Sequence, residues 1–155
     1  MEILNTASLN DTQKAAVFQL WNVEYPSQLA FPALQDFENY LRVLHQPTHL
    51  LVVDENADVC GWAFSFEREE ERWFAIIIHN TAQRTGLGTR LLSELKNVES
   101  VLNGWVSDHS AYKKMNGESY HSPIQFYVKN GFEICADVRL ETDKLSAVKI
   151  KWPGT

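Results

Sequence analysis

The sequence predicts one α+β domain, in which a mixed and mostly antiparallel β-sheet is flanked by helices. Three features carry this prediction: helical periodicity in the N-terminal third, strand-like runs between His49 and Ile78, and a glycine turn between a strand and a helix at Gly86. A chain of 155 residues with 45% hydrophobic and 22% charged residues fits one globular domain. No repeat or linker divides the chain, so we assign residues 1–155 to a single domain.

Two helices are predicted near the N-terminus. Asn10 is followed three residues later by Gln13, which is a loose capping box, and apolar residues between Val17 and Trp21 recur on one face until Pro26 ends the helix. A second helix is expected to begin near Pro32, because an apolar stripe follows at the i, i+3, i+4, i+7 spacing: Phe37, Tyr40, Leu41 and Leu44.

The middle of the chain reads as strands. His49–Val53 and Val59–Glu67 are rich in β-branched and aromatic residues and flank a polar turn, so they predict a hairpin. The charged cluster Glu67–Arg72 predicts a second turn. The unbroken apolar run Trp73–Ile78 then predicts a strand covered on both faces.

The C-terminal half alternates helices with strands. A helix should follow Gly88 and end near Ser100, with a short strand next at Gly104–Ser107. A second helix should begin at Ser122-Pro123 and end at Gly131, because serine caps helices and glycine terminates them. Two closing strands are predicted, Phe132–Leu140 and Ala147–Trp152.

The polar stretch Asp108–His121 is long for a loop in a compact domain, which favours a functional role. It carries Tyr112 and Tyr120, and we expect it to contribute to a substrate pocket.

Composition and charge exclude several classes of partner. The formal net charge of −6 argues against sequence-independent nucleic-acid binding and is compatible with a cationic substrate such as an amine. No apolar run approaches the roughly 18 residues that span a bilayer, and Met1–Asn10 has neither a basic region nor an apolar core. We therefore expect a cytoplasmic protein without nucleic-acid or membrane partners. No cysteine or histidine spacing indicates a metal site.

The segment Gln83–Gly88 is the strongest candidate for a binding site. Glycines at the start of a helix let the backbone approach a ligand, and unpaired helix N–H groups attract anions such as pyrophosphate. Arg84 and Arg90 could add positive charge. A P-loop is excluded because the chain has no Gly-Lys pair, and a dinucleotide fingerprint is disfavoured because Leu91 stands where the third glycine belongs.

Gln83, Gly86 and Gly88 stand at the signature positions of a segment that resembles the Q/R-x-x-G-x-G/A motif of the GNAT superfamily of N-acetyltransferases. About forty residues on, Phe126–Phe132 resembles the second recurrent segment of that family, with an aromatic-Tyr pair before Gly-Phe. The predicted order of elements is also similar, so the resemblance covers nearly the whole chain.

The resemblance implies a cofactor and the place where it binds. Acetyl-CoA would serve as co-substrate without a metal, and it would lie where the fourth and fifth strands of the sheet splay apart. By position the fourth strand is Trp73–His79, with a backbone N–H near Ile77 or Ile78 as the oxyanion donor. The cofactor-binding residues implied are Ile76, Ile77, Ile78, Gln83, Arg84, Thr85, Gly86, Leu87, Gly88 and Thr89.

The resemblance also implies the chemistry. Tyr127 occupies the position of the general acid that protonates the departing thiolate, and an amine would attack the thioester directly. The candidate general bases are Glu71 before the fourth strand and Asp108 or His109 after the fifth. The acceptor would be a small-molecule or peptide amine, and a homodimer is possible. A non-catalytic acyl-CoA-binding or regulatory domain is the alternative function on the same scaffold.

Overall fold

Seven strands form a single mixed sheet in the computed structural model, which describes residues 1–155. Four α-helices flank the sheet, and short 3₁₀ helices lie at Ser27–Leu29 and Asn80–Ala82. The elements in chain order are β1 Glu2–Thr6, α1 Asp11–Glu24, α2 Leu34–Arg42, β2 His45–Val53, β3 Val59–Arg68, β4 Glu71–Ile78, α3 Leu87–Val98, β5 Leu102–Val106, α4 Ile124–Lys129, β6 Glu133–Glu141 and β7 Ser146–Trp152.

The strand order is β1-β2-β3-β4-β5-β7-β6, and β4 with β5 is the parallel pair in a sheet whose other pairs are antiparallel. These two strands meet at a single register position, where Trp73 lies opposite Asn103. The side chain of Asn103 donates a hydrogen bond to the carbonyl of Arg72 at 3.1 Å. Beyond this point the strands diverge, which confirms the predicted fold class and its splayed sheet.

The gap between the diverging strands is filled in part by an aromatic ring. A Cβ built on Gly104 of β5 would lie 2.9 Å from the ring of Phe74 on β4. Because real Cβ atoms do not approach so closely, glycine is required at this position for the ring to lie between the strands. The opening between β4 and β5 therefore depends on the small residue Gly104 facing the large side chain of Phe74.

Each face of the sheet has its own core, because successive strand residues point to opposite sides. Leu50 and Val52 of β2 pack toward α3, whereas Leu51 between them packs toward α1. The α3 face is mainly aliphatic, with Leu91, Leu92 and Leu95 fully buried. The α1 face is strongly aromatic, with stacked, tilted and edge-on contacts among Trp21, Phe31, Phe37, Tyr40, Trp62 and Phe64.

The predicted elements are present, with corrections at their ends. The capping box is confirmed, since Asn10 and Gln13 exchange both backbone-to-side-chain hydrogen bonds. The N-terminal third is not wholly helical, because β1 precedes α1 and pairs with β2. Its five residues, Glu2–Thr6, carry too short an apolar pattern to mark a strand.

Other corrections follow from local backbone geometry. The charged turn is confined to Glu69-Glu70, both with positive φ, so the flanking charged residues belong to β3 and β4. Pro123, rather than Ser122, is the N-cap of α4. Strand β2 begins at His45, before the predicted start, because it continues past Pro47 to pair with the end of β3. None of the helices combines the length with the apolar character that crossing a bilayer requires.

Candidate active site

The turn before α3 presents a row of free backbone N–H groups. Gly86 caps the helix in the left-handed region with φ of 84°, and Arg84 is also left-handed at 63°. The first hydrogen bond of the helix runs from the amide of Arg90 to the carbonyl of Gly86 at 3.1 Å. The amides from Arg84 to Thr89 donate to no other group of the protein. Together with the helix dipole, these amides form a candidate anion site at the place that the sequence predicts.

Gly88 lets this turn pack tightly against its neighbours. A Cβ on Gly88 would lie 3.2 Å from the ring of Phe126 on α4 and 3.3 Å from the side chain of Ile78 on β4. Gly86 has open space around its Cα, so the left-handed conformation is the reason for glycine there. The two glycines of the motif therefore serve different needs, one conformational and one steric.

Polar side chains hold the turn in shape. Gln83 donates from its side-chain amide to the carbonyl of Ile78 at 2.9 Å, and the hydroxyl of Thr85 donates to the carbonyl of Ala82 at 2.6 Å. Arg84 lines the adjacent cavity. Arg90 instead donates to the carbonyl of Met1 at 3.2 Å, so its guanidinium is directed to the N-terminal strand.

The free edge of β4 supplies a second set of backbone groups. The amide of His79 bonds to the carbonyl of Cys60, and in an antiparallel pair alternate residues bond to the same neighbour, so Ile77 also faces β3. Ile76 and Ile78 therefore present their N–H and C=O groups toward the split. This geometry favours Ile76 and Ile78 over Ile77 as partners of a ligand in the cleft.

A cavity of about 550 Å³ joins these two backbone surfaces. It is lined by β4, by the turn before α3 and by α4, and it falls within the size range of ligand pockets. The residues on its walls that the sequence implied for cofactor binding are Ile76, Ile77, Ile78, Gln83, Arg84, Gly86, Gly88 and Thr89. Thr85 and Leu87 contribute amides to the anion site, while the side chain of Leu87 is buried in the core.

Tyr127 lies where the cavity meets the split between β4 and β5. Its ring packs edge-on against Phe74, Phe126 and Phe132, which fixes its position. Burial raises the pKa of Tyr127 well above the ordinary phenol value, and the neighbouring Tyr120 raises that pKa further. The phenol is therefore protonated across the physiological pH range and able to donate a hydrogen bond.

Two further phenol side chains, those of Tyr25 and Tyr120, lie beside Tyr127. Tyr25 at the end of α1 and Tyr120 of the long loop line the same openings as Tyr127, with their ring centroids 6.3 Å apart. Burial raises the pKa of Tyr120 to about 12 and raises that of Tyr25 well above its usual value. No hydrogen bond within the protein uses any of the three hydroxyls, and all three residues line the openings, so a ligand or water can pair with them.

The long loop is fastened to the body of the protein at several points. Ser27 donates its amide to the carbonyl of Lys113 at 2.8 Å, and Lys114 forms an ion pair of 2.8 Å with Glu24. The hydroxyl of Tyr112 accepts the amide of Ser146 at 2.8 Å. These contacts hold Tyr120 in the wall of the site, whereas Tyr112 is used to anchor the loop.

The candidate bases that follow β5 lie outside the cavity. Asp108 accepts two hydrogen bonds from the guanidinium of Arg139, at 2.8 and 3.1 Å, and these hold the pKa of its carboxyl below the usual range. His109 accepts the amide of Ala111 on Nδ1 at 3.1 Å and packs against Tyr112. Neither residue lines the openings around Tyr127, so the geometry does not support them as bases.

Glu71 lies at the opposite end of β4 from the predicted oxyanion donors. Ile76 is five residues further along the strand, which is roughly 17 Å at the usual rise per residue. The carboxylate of Glu71 instead pairs with Lys149 at 3.7 Å. The structure therefore does not bring Glu71 together with Tyr127.

Besides Tyr25, two titratable residues that sequence reasoning missed line the cavity, Glu24 and His121. Glu24 is buried, and its two oxygens accept from Lys114 and from the amide of Asn80. A signal for Glu24 was present, since an acidic residue in the last turn of a helix opposes the helix dipole and needs another reason to be there. His121 carried no such signal, because it lies among other polar loop residues.

A second cavity, of about 320 Å³, lies on the α1 face of the split. Tyr25 and Tyr120 line both cavities, so their phenols stand at the junction. No group of three or more histidine, cysteine, aspartate or glutamate side chains is placed to hold a metal ion.

A sheet that splits beside a helix start with free amides, with a tyrosine at the junction, is typical of the acetyltransferase class of fold. Residues 46–134 match the family described as the acetyltransferase (GNAT) domain, and the chain therefore belongs to that family. This confirms the resemblance inferred from the two sequence motifs. No curated protein matches the sequence at a significant level.

Solved structures show the same fold over nearly the entire chain. An aminoglycoside 6'-N-acetyltransferase complexed with coenzyme A is similar with a TM-score of 0.72 and 14% identity, over 97% of this chain and 96% of that one. A GNAT superfamily phosphinothricin acetyltransferase from Sinorhizobium meliloti in complex with acetyl-CoA gives 0.68 and 12%, over 99% and 89%. Escherichia coli ElaA gives 0.70 and 16%, over 97% and 99%.

Proposed function

We propose that this protein is an N-acetyltransferase that transfers the acetyl group of acetyl-CoA to a primary amine by direct attack. The observation that carries the proposal is the convergence of three features on one cavity: the free amides before α3, the free edge of β4 and the phenol of Tyr127. The first two suit a long ligand with a diphosphate at one end, and the third lies where its reactive end would be.

The backbone would bind and aim the co-substrate. The amides from Arg84 to Thr89 would hold the pyrophosphate, with Arg84 adding charge. The pantetheine chain would pair with the free edge of β4. The thioester carbonyl would then accept a hydrogen bond from the N–H of Ile76 or Ile78, which stabilises the oxyanion as the amine attacks.

Tyr127 would act as the general acid on the leaving group. When the amine nitrogen bonds to the carbonyl carbon, the carbon–sulfur bond breaks and the sulfur needs a proton. The phenol of Tyr127 has a free hydroxyl at this position to donate to the developing thiolate. Because burial raises the pKa of Tyr127, the phenol holds its own proton tightly. A hydrogen bond from the phenol should therefore supply much of the stabilisation that Tyr127 gives to the departing thiolate.

The acceptor amine must lose a proton before or during the attack. An amine with a pKa of about 10.4 is disfavoured by roughly 4–5 kcal/mol in its neutral form at pH 7. We propose that this proton leaves through water in the cofactor cavity, which His121 lines, near the hydroxyl of Tyr120 at the junction of the two cavities. Asp108, His109 and Glu71 remain the candidates from sequence, with less geometric support.

A substitution of Tyr127 tests the enzyme against the non-catalytic alternative. Tyr127→Phe should lower kcat at least about tenfold, a barrier increase of about 1.4 kcal/mol, and should leave the calorimetric Kd of acetyl-CoA unchanged. Thiol release from acetyl-CoA with a panel of amines measures the turnover. Tyr112→Phe is the matched control, because Tyr112 lines neither cavity and the contacts of Lys113 with Ser27 and of Lys114 with Glu24 still hold the loop when its hydroxyl is removed.

The two functions give different results in the same assay. Coenzyme binding with no thiol release on any amine would support a regulatory acyl-CoA-binding domain. Equal turnover of the wild type and Tyr127→Phe would remove Tyr127 from the mechanism.

The remaining features of the proposal follow from the sequence. We propose a single domain over residues 1–155, a cytoplasmic location and a small-molecule or peptide amine as acceptor, without nucleic-acid or membrane partners. The acetyltransferases of known structure include one for aminoglycosides and one for phosphinothricin, and both of these are small amines.

A further inference from the structure

The second cavity, of about 320 Å³, is built almost entirely from apolar and aromatic side chains. It lies between α1, the ends of β3 and β4, and β5, with Tyr25 and Tyr120 at its inner end toward the cofactor cavity. Stacked indoles, Trp73 on Trp105 at 5.2 Å, form one wall. Aromatic walls of this kind bind flat or bulky apolar groups.

The charge of this cavity is unusual for a site that receives an amine. Arg68 is the one charged residue on its walls, and no aspartate, glutamate or histidine lines it. An acceptor that carries several ammonium groups would therefore meet a positive charge and find no carboxylate to pair with. Polyamines and aminoglycosides, whose recognition needs acidic groups, do not suit these walls.

Arg68 has no partner of its own. Its guanidinium lies 4.3 Å from the ring centroid of Trp73 and 5.5 Å from that of Phe66, and it makes neither a hydrogen bond nor an ion pair. The acidic residues of β3 and β4 pair with other side chains: Glu67 with His45 at 3.5 Å, and Glu71, which lies opposite Arg68 in the register, with Lys149 at 3.7 Å. A planar guanidinium with free donors, stacked on an indole, is well placed to bind a carboxylate.

The position of Arg68 fixes the shape of the acceptor. The guanidinium lies over Trp73, whereas the reactive thioester would lie near Ile76, three residues further along β4. Three residues of strand span roughly 10 Å. An acceptor that reaches both points must carry its amine and its anionic group at opposite ends of an apolar body, which excludes a free α-amino acid with the two groups on one carbon.

We propose that the acceptor is an elongated primary amine with an aromatic or bulky apolar body, which fills this cavity, and a carboxylate at the far end, which pairs with Arg68. This inference rests on the proposed N-acetyltransferase function and names the class of its second substrate. Short peptides with an apolar first residue and ω-aminoalkyl aryl carboxylates belong to this class.

A pair of matched probes tests the proposal. 4-(2-Aminoethyl)benzoate carries a carboxylate opposite its amine, and 2-phenylethylamine is the same molecule without it, while spermidine serves as the polycation. We expect kcat/KM for thiol release to be at least about tenfold higher with the carboxylated probe than with 2-phenylethylamine, and lowest with spermidine. A difference of about tenfold is what a hydrogen-bonded charge pair at the solvent-exposed mouth of the cavity would give.

Substitution of Arg68 shows whether the preference arises from this side chain. In Arg68→Gln the ratio of the two kcat/KM values should fall to about one, because the charge is lost and the length is kept. The calorimetric Kd of coenzyme A should not change. Arg42→Gln is the matched control, since Arg42 is on the outer end of α2 and contacts Asn39, and it should keep the full ratio.

Direct binding separates this proposal from the proposed function. Calorimetry of 4-(2-aminoethyl)benzoate with the coenzyme A complex should give a Kd at least about tenfold weaker in Arg68→Gln than in the wild type. If that holds while no amine releases thiol, the acceptor site stands and the N-acetyltransferase function fails. If thiol is released but the two probes are used equally, or Arg68→Gln keeps the preference, the function stands and this proposal is overturned. Equal binding in both proteins, or none in either, also overturns it.

Discussion

The two cavities that meet at Tyr25 and Tyr120 are built from different parts of the chain. The cofactor cavity uses mainly backbone groups, namely the amides before α3 and the free edge of β4. The second cavity, of about 320 Å³ and here called the aromatic cavity, uses side chains that come from segments spread between Trp21 and Leu145. One site is local in sequence, and the other is assembled only by folding.

This difference explains why one cavity has a sequence motif and the other has none. A site made of backbone N–H groups needs particular conformations, so it requires glycine at fixed spacing, as at Gly86 and Gly88. A site made of apolar side chains needs only volume and polarity at each position. Its residues are then indistinguishable from core residues when the sequence is read alone.

The largest effect is expected from filling the space at Gly88. In Gly88→Val the added atoms would meet the ring of Phe126 and the side chain of Ile78, where even a Cβ has 3.2–3.3 Å. The turn must then shift, which misplaces the free amides. We expect the Kd of coenzyme A to weaken about 100-fold, or about 2.7 kcal/mol, as measured by calorimetry.

A glycine that lines none of the cavities provides the control for this comparison. Gly117 in the long loop also has positive φ, at 88°, and has nothing within 4 Å of an added Cβ. Gly117→Ala should therefore cost some stability but leave the Kd of coenzyme A unchanged. A Gly88→Val protein that folds and binds coenzyme A with the affinity of the wild type would contradict the assignment of this turn to the pyrophosphate.

The cofactor side of the molecule could be predicted in detail because its signals are local. The order of strand, glycine turn and helix around Gly86 can be read within one stretch of sequence, and so can the helix that ends at Gly131. The splay of β4 and β5 was reached through the family resemblance rather than through the residues. Its physical cause, the ring of Phe74 over Gly104, joins positions thirty residues apart.

The acceptor side could not be predicted in the same way. The position of Asp108 and His109 after β5 predicts them as bases, but the sequence does not show that Arg139 pairs with Asp108 or that the loop turns His109 away. In the sequence, Arg68 belongs to the charged cluster that predicts a turn. Its role depends on the rings of Phe66 and Trp73 beneath it, and only the pairing of β3 with β4 brings them together.

The second-largest expected effect is a pH dependence of stability, which tests whether water reaches the side chains on the aromatic face of the sheet. His49 is buried beside Trp62, whose indole N–H donates to its Nδ1 at 3.1 Å, and it packs against Phe64 in the wall of the aromatic cavity. Burial lowers the pKa of His49 to about 4. The folded protein therefore keeps this histidine neutral, whereas the unfolded chain binds a proton near the ordinary pKa of about 6.5.

Folding stability should consequently fall as the pH drops from about 6.5 toward 4, because the unfolded state binds more protons in that range. Between pH 7 and pH 5 this one group should reduce the free energy of unfolding by about 2 kcal/mol. Urea titrations at both values measure the change. His49→Gln, which keeps a hydrogen-bond acceptor, should remove that part of the pH dependence, while His45→Gln at an exposed position should not. The same slope in His49→Gln would show that the layer beneath the cavity admits water.

The smallest effect concerns the charge beside the free amides. Arg84 lines the cofactor cavity, whereas Arg90 is turned to the carbonyl of Met1, so only Arg84 should contribute to binding of the pyrophosphate. Arg84→Gln keeps an L-residue in the same left-handed conformation and removes the charge, and we expect the Kd of coenzyme A to weaken about fivefold, as for a partly exposed ion pair.

The difference in the Kd of coenzyme A between wild type and Arg84→Gln should become smaller as salt is raised from about 0.05 M to about 0.5 M. Screening weakens exposed charge pairs, whereas it affects the amide hydrogen bonds less. Arg90→Gln should bind coenzyme A as the wild type does at both salt concentrations. Equal losses of coenzyme A affinity in Arg84→Gln and Arg90→Gln would mean that both arginines attract the diphosphate through their combined positive charge. The site could then not be described as one built from backbone amides with a single contributing arginine.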